Sequence, residues 1–221
     1  MKLFFEAIFK FILGVLIIGV LMFWPAGTFG FWNAWLLMGL LFIPMFIAGI
    51  ILMIKNPDLL RKRLDAKEKE GEQKKVIGMS AIIFILGFVL AGLDFRNGWS
   101  NMPLWVVVSA SVIFIISYIM YAEVLRENTY LSRTIEVQEN QKVIDTGLYG
   151  IVRHPMYFAT TLLFLCFPVV LGSWFSFAIF CFFPFVLVKR IKNEEKVLEN
   201  GLEGYKEYKQ KVKYRMIPFV W

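Results

Sequence analysis

The side chains able to do chemistry crowd into two polar stretches of this 221-residue chain. The first contains Arg153-His154-Pro155, with the chain's single histidine, followed by Met156 and Tyr157. Pro155 suits the first turn of a helix, where its missing N–H leaves no bond unmade. Arg153 and His154 then stand at a helix start, a place that attracts carboxylates and phosphates. The plainer reading is an arginine anchored to lipid head groups with an interfacial histidine beside it. The second stretch contains Arg190 and Glu194, four residues apart and so on one helical face. As a solvated ion pair they would contribute only about 0.3 kcal/mol, and Arg ahead of Glu is the less favourable order. Gln138, Gln141, Lys142, Val143 and Ile144 precede the histidine, and Tyr149, Tyr157, Tyr205 and Tyr208 are scattered through both stretches. The tyrosines fit an aromatic belt at the membrane interface, or a wall around a cation or an adenine ring.

These residues need elements to bring them together. Runs 133–137 and 142–144 are β-biased around the polar 138–141, which predicts an irregular or hairpin-like connector, closed by the turn signal Asp145-Thr146-Gly147. Residues 189–200 read as a helix extending the last apolar run and ending at Gly201, followed by a short amphipathic piece with Tyr205, Tyr208 and Val212. Between the two stretches lies 156–188, free of charge and too long for one membrane crossing. Its break is expected at Leu171-Gly172-Ser173-Trp174, where small residues permit a tight reversal between two helices. Such a hairpin returns the chain to the side it left, so both polar stretches line one pocket at the membrane surface.

Upstream, 3–24, 29–54, 76–93 and 102–122 are apolar blocks suited to a hydrocarbon core of about 30 Å, which takes about 20 helical residues. With 58% hydrophobic and 19% charged residues, too few polar side chains remain to cover a water-soluble domain of this size. The expectation is an all-α integral membrane protein with about six transmembrane segments, the last two a tight helical hairpin. It forms one domain over 1–221, with 1–122 supplying four generic spans and 123–221 the chemistry.

The formal charge of +7 does not indicate nucleic-acid binding, because the basic residues lie where membrane topology puts them, not in a stripe with interleaved aromatics. Loop 55–75 has eight Lys and Arg and the tail 189–221 has nine, whereas 25–32 and Gly172-Ser173 have none and 94–101 has only Arg96. The positive-inside rule puts the basic loops and both termini in the cytoplasm. In a six-span count the connector 123–153 is cytoplasmic too, although its four basic and five acidic residues give no bias of their own. Glu6 and Lys10 in the first block argue against a cleavable signal peptide. Cys166 and Cys181, in opposite hairpin arms, read as small apolar residues, and one histidine does not make a zinc site. Transport is disfavoured, since no repeat is visible and no span holds a buried charge after Lys10.

Taken in order, 138–144, Thr146-Gly147-Leu148-Tyr149, Arg153-His154-Pro155-Met156-Tyr157, Glu194-Glu195, Tyr205, Tyr208 and 215–218 resemble isoprenylcysteine carboxyl methyltransferases and their small prokaryotic relatives. The same half is similar to phospholipid methyltransferases, with weaker support from 56–63. The resemblance implies S-adenosyl-L-methionine as cofactor in a cytoplasmic pocket. Its contacts would be Gln138, Gln141, Lys142, Val143, Ile144, Tyr149, His154, Pro155, Met156, Tyr157 and Glu194. Arg190 matches a position linked to the methyl acceptor, so the implied catalytic set is Arg190, Glu194 and His154. The acceptor would be a lipophilic small molecule or a lipidated cysteine, approached from the membrane lipid. Composition rich in Lys, Ile and Phe points to a prokaryotic plasma membrane.

Methyl transfer from a sulfonium is an in-line displacement, so the protein's task is alignment and a suitable charge environment. A carboxylate acceptor needs no base, and Arg190 would orient it. A thiol or amine must lose a proton, for which His154 or Glu195 would serve. Two other readings stay open on the sequence: an NADPH-dependent membrane reductase of the sterol-reductase type, and a non-enzymatic membrane protein that binds a partner.

Overall fold

The structure is a computed structural model that describes residues 2–65, 71–132 and 135–221, with only the backbone of residues 71 and 72. Arg133 and Thr134, in the first β-biased run, lie outside the described residues. The helices are α1 (Lys2–Ala26), α2 (Trp32–Lys55), α3 (Pro57–Leu64), α4 (Gly71–Asn97), α5 (Leu104–Glu127), α6 (Pro155–Val170), α7 (Trp174–Phe180), α8 (Phe183–Gly201) and α9 (Tyr205–Lys211). Among the described residues there is no strand, and the connector between α5 and α6 is irregular apart from turns and a single 3-10 turn at Gly147–Gly150.

Five stretches are long and apolar enough to cross a membrane: α1, α2, Gln73–Asn97 of α4, α5, and α7 with α8 as Trp174–Gly201. The sixth apolar segment, α6, has only 16 residues. At 1.5 Å per residue it reaches about 24 Å, less than the hydrocarbon core. The last arm of the hairpin is interrupted at Cys181-Phe182, a break not read from the sequence. Pro184 accounts for it, since it lacks an N–H and its ring clashes with the carbonyl of Phe180 four residues back.

The core of the bundle is aromatic. Phe167 of α6 stacks near Phe88 and Phe114, at centroid distances of 5.9 and 5.6 Å, and Phe84 meets Phe180 edge-on at 5.3 Å. Rings pack this closely because glycines let backbones approach: a Cβ on Gly92 would lie 2.5 Å from the Met22 carbonyl, and one on Gly87 would lie 2.3 Å from the Phe180 ring. Phe5, Phe9, Ile54, Trp105 and Phe185 are exposed, which is the expected state of side chains facing acyl chains.

The hairpin turns where the small residues predict, with Gly172 at φ +75°. There the Ser173 hydroxyl caps α7 by accepting from the Ser176 N–H, and itself donates to Asp94. Asp94 corrects one expectation: α4 continues past Leu93, and this carboxylate is 2% exposed inside it. The charge is tolerated because the Ser100 N–H and hydroxyl, at 2.7 and 2.6 Å, join Ser173 as donors. Asn33 secures the same end of the bundle by donating to the Val170 carbonyl at 2.7 Å.

Candidate functional site

At the other end of the bundle, the second hairpin arm brings Glu194 and Glu195 of α8 beside the start of α6. Glu195 is 3% exposed and takes no part in a surface pair. Arg153 Nε donates to its Oε1 at 2.7 Å and Arg215 Nε to its Oε2 at 2.9 Å. Arg153 also donates through Nη1 to the carbonyls of Val212 and Lys213. The backbone N–H groups of Arg153 and His154 donate to the carbonyls of Tyr214 and Arg215 at 2.9 and 2.8 Å. The C-terminal segment is thereby tied to the entrance of α6. With both carboxylate oxygens held by guanidinium groups, Glu195 is a structural anion and a poor proton acceptor, which removes it as a candidate base.

Glu194, one residue earlier, points elsewhere. The Tyr157 hydroxyl donates to Glu194 Oε2 and accepts from Arg190 Nε at 2.9 Å. Arg190, Tyr157 and Glu194 therefore form one chain across the α6–α8 contact, in place of a direct surface pair between positions four apart. His154 sits against it, with Nδ1 4.0 Å from Glu194 Oε1 and its ring 5.7 Å from that of Tyr157. His154 Nε2 is 3.4 Å from Glu195 Oε1 but has no aligned hydrogen bond, and it is buried.

A cleft opens above this chain, between α8 and the connector. One wall is α8, through Arg190, Glu194 and Leu198, and the floor is His154, Met156 and Tyr157. The connector forms the opposite wall, with Gln141, Lys142, Val143 and Ile144 together. A small apolar cluster of Leu202, Tyr205, Tyr208 and Val212, with Val137, Val143 and Leu198 against it, holds this wall in place. The Tyr208 hydroxyl donates to the Tyr149 carbonyl at 2.8 Å, and Asn128 donates to the Tyr149 hydroxyl at 3.0 Å. α3 braces the connector from outside, Lys62 reaching Gln138 Oε1 at 2.5 Å and Arg63 the Ser132 carbonyl at 3.5 Å.

Of the side chains singled out in the sequence, Gln141, Lys142, Val143, Ile144, Tyr149, His154, Met156, Tyr157, Arg190 and Glu194 line the cleft. Gln138 and Pro155 are not among the lining residues. Gln138 is turned back on the loop, its Nε2 donating to the Tyr130 carbonyl and its backbone N–H to Gln141 Oε1. Pro155 is buried as the first residue of α6. Asn128, Tyr130, Leu131, Ile135 and Glu136 also face the cleft and carry no sequence signal beyond membership of the polar connector.

The tyrosines do not form a belt. Tyr149, Tyr157, Tyr205 and Tyr208 are all between 4 and 7% exposed, so they face the cleft and its supports, not lipid. Burial holds the phenols of Tyr149, Tyr205 and Tyr208 above their ordinary range, so they stay neutral through physiological pH. The Tyr205 hydroxyl, buried in the cleft wall, has no partner among the described residues.

Residues 104–203 match the family model of the phospholipid methyltransferases, a match that runs from the start of α5 to just beyond α8 and takes in the cleft's floor and all of its lining except Tyr205 and Tyr208. The match covers a little under half of the chain and marks this region as similar to that family. The chain is thus similar, over this region, to membrane methyltransferases, in line with the sequence resemblance. No curated protein matches the chain.

Proposed function

We propose that the protein transfers a methyl group from S-adenosyl-L-methionine to a lipophilic or membrane-associated acceptor, the carboxylate of a prenylated cysteine being one candidate. The observation that carries this reading is the Arg190–Tyr157–Glu194 chain at the base of a polar cleft in a region that matches the methyltransferase family. The donor set suits the cofactor. A carboxylate, neutral phenols and the buried Tyr205 hydroxyl, without a partner among the described residues, offer partners to a cation with a nucleoside attached.

When bound, the cofactor supplies an activated methyl group on a sulfonium, which passes to the acceptor's nucleophile as the thioether departs. The chain's own residues do the rest. Glu194 offers a negative charge to the cationic donor, and Tyr157 fixes the orientation of that carboxylate through its hydroxyl. Gln141, Lys142, Val143 and Ile144 close the connector side, with Tyr149 and Met156 filling the space between. Gln138 and Pro155 hold that shape from behind. Arg190, engaged through Nε and Nη1, orients an anionic acceptor without clamping its nucleophilic oxygens. His154 is the base available if the acceptor must lose a proton. In this reading 123–221 is the catalytic half, 1–122 is its membrane support, and cleft and termini face the cytoplasm of a prokaryotic cell, next to the basic α3 and tail.

The test is ligand-dependent stability. S-adenosylhomocysteine at 100 times its dissociation constant should stabilise the solubilised protein by about 2.7 kcal/mol, and NADPH should not. A shift with NADPH alone would instead favour the reductase, and no shift with either would favour a non-enzymatic role. A rate that is flat above about pH 6 would identify a carboxylate acceptor; a steep rise with pH would point to a thiol or amine.

A further inference from the structure

Gln73 belongs to neither polar stretch, yet it is 0% exposed, on the first turn of α4. Its Oε1 accepts from Arg190 Nη1 at 3.2 Å, and its Nε2 has no partner among the described residues. The orientation of the amide is fixed by chemistry: a guanidinium only donates, so the carbonyl must face Arg190 and the NH2 must face away. A buried amide donor left without an acceptor is unfavourable, and such orphans in native structures mark a missing partner. Water and apolar tails compete for the place, but the neighbouring positive charge favours an oxygen that carries negative charge.

Arg190 is also the pivot between two regions. Through Tyr157 it connects to Glu194 and the cofactor side, and through Nη1 to Gln73 on α4. An acceptor held by Gln73 would thus be coupled through Arg190 to the cleft.

We infer that Gln73 is an acceptor-binding residue, whose amide N–H donates to an oxyanion in the head group of an amphiphilic methyl acceptor beside Arg190. This rests on the proposed methyltransferase reading for its purpose, though not for its test. A carboxylate on a lipidated amino acid and a phosphate on a lipid both supply the chemistry. The role explains why a span outside the matched region contributes to the site: α4 would select the acceptor, while the matched half holds the cofactor.

The experiment measures binding of three probes in detergent micelles to the full-length protein: N-acetyl-S-farnesylcysteine, its methyl ester as the uncharged counterpart, and phosphatidic acid. Each is titrated into wild type, Gln73→Leu and Gln73→Glu, with S-adenosylhomocysteine binding measured separately. Gln73→Leu is expected to weaken at least one oxyanion probe about tenfold while leaving the ester unchanged, and Gln73→Glu to weaken it further by repulsion. Loss confined to the farnesylcysteine assigns a carboxylate site, and loss confined to phosphatidic acid assigns a phosphate site. Equal weakening of acid and ester, or no change in either oxyanion in both variants, overturns the inference. Should one variant fail to fold, the other decides. Failure of wild type to bind S-adenosylhomocysteine would sink the methyltransferase reading while the oxyanion comparison still stands.

Discussion

The two ends of the bundle treat buried polar groups in opposite ways. At the hairpin tip, Asp94 takes three donors from Ser100 and Ser173, and Asn33 pairs with the Val170 carbonyl. At the other end, Gln73 Nε2 and the Tyr205 hydroxyl are buried without hydrogen-bond partners among the described residues, and His154 Nε2 has only an unaligned contact with Glu195, around or beside an open cleft. The first pattern is a fastening, complete in itself. The second leaves polar groups that, in the proposed function, a ligand would engage. Within the cleft end the same division recurs between adjacent residues: Glu195 is consumed by two arginines, and Glu194 is left to face the cavity.

Substitutions that break this contrast should separate stability from binding. The largest effect is expected for Glu195→Ala, which leaves Arg153 buried without its anion and should lower stability by about 3–5 kcal/mol, read as a fall in melting temperature in detergent, with ligand binding lost alongside. Glu194→Ala should do the reverse, raising the dissociation constant for S-adenosylhomocysteine about 10- to 100-fold with little change in melting, by loss of one charge-assisted contact. Ser173→Ala removes the cap of α7 and one donor to Asp94, and should cost about 1–3 kcal/mol of stability while leaving binding intact. Tyr157→Phe, which deletes only the hydroxyl linking Arg190 to Glu194, should weaken binding about fivefold, seen by calorimetry.

Much of this contrast was visible in the chain before its structure. Leu171-Gly172-Ser173 announced the hairpin because a reversal inside an apolar run requires small residues, and Arg190 and Glu194 announced a shared face through helical periodicity. The resemblance then attached a function to the ordered polar residues. What escaped notice lay at element boundaries. Gln73 fell in the basic loop and Asp94 just beyond the third apolar block, because hydropathy marks where lipid contact ends and not where a helix ends. The tyrosines were ambiguous for another reason: belt and cleft wall demand the same amphipathic ring, and only tertiary packing decides which way it faces. Gln138 looked like a ligand contact by position, but Lys62 on α3, distant in sequence, claims its side chain.

The most direct test is calorimetric titration of S-adenosylhomocysteine into the wild-type protein, Glu194→Ala and Ser173→Ala side by side. The account predicts micromolar binding by wild type and Ser173→Ala and clear weakening in Glu194→Ala, with the melting temperature lowered only in Ser173→Ala. Absence of binding to the wild type, or binding that Glu194→Ala leaves unchanged, would contradict the assignment of the cleft as a methyl-donor site.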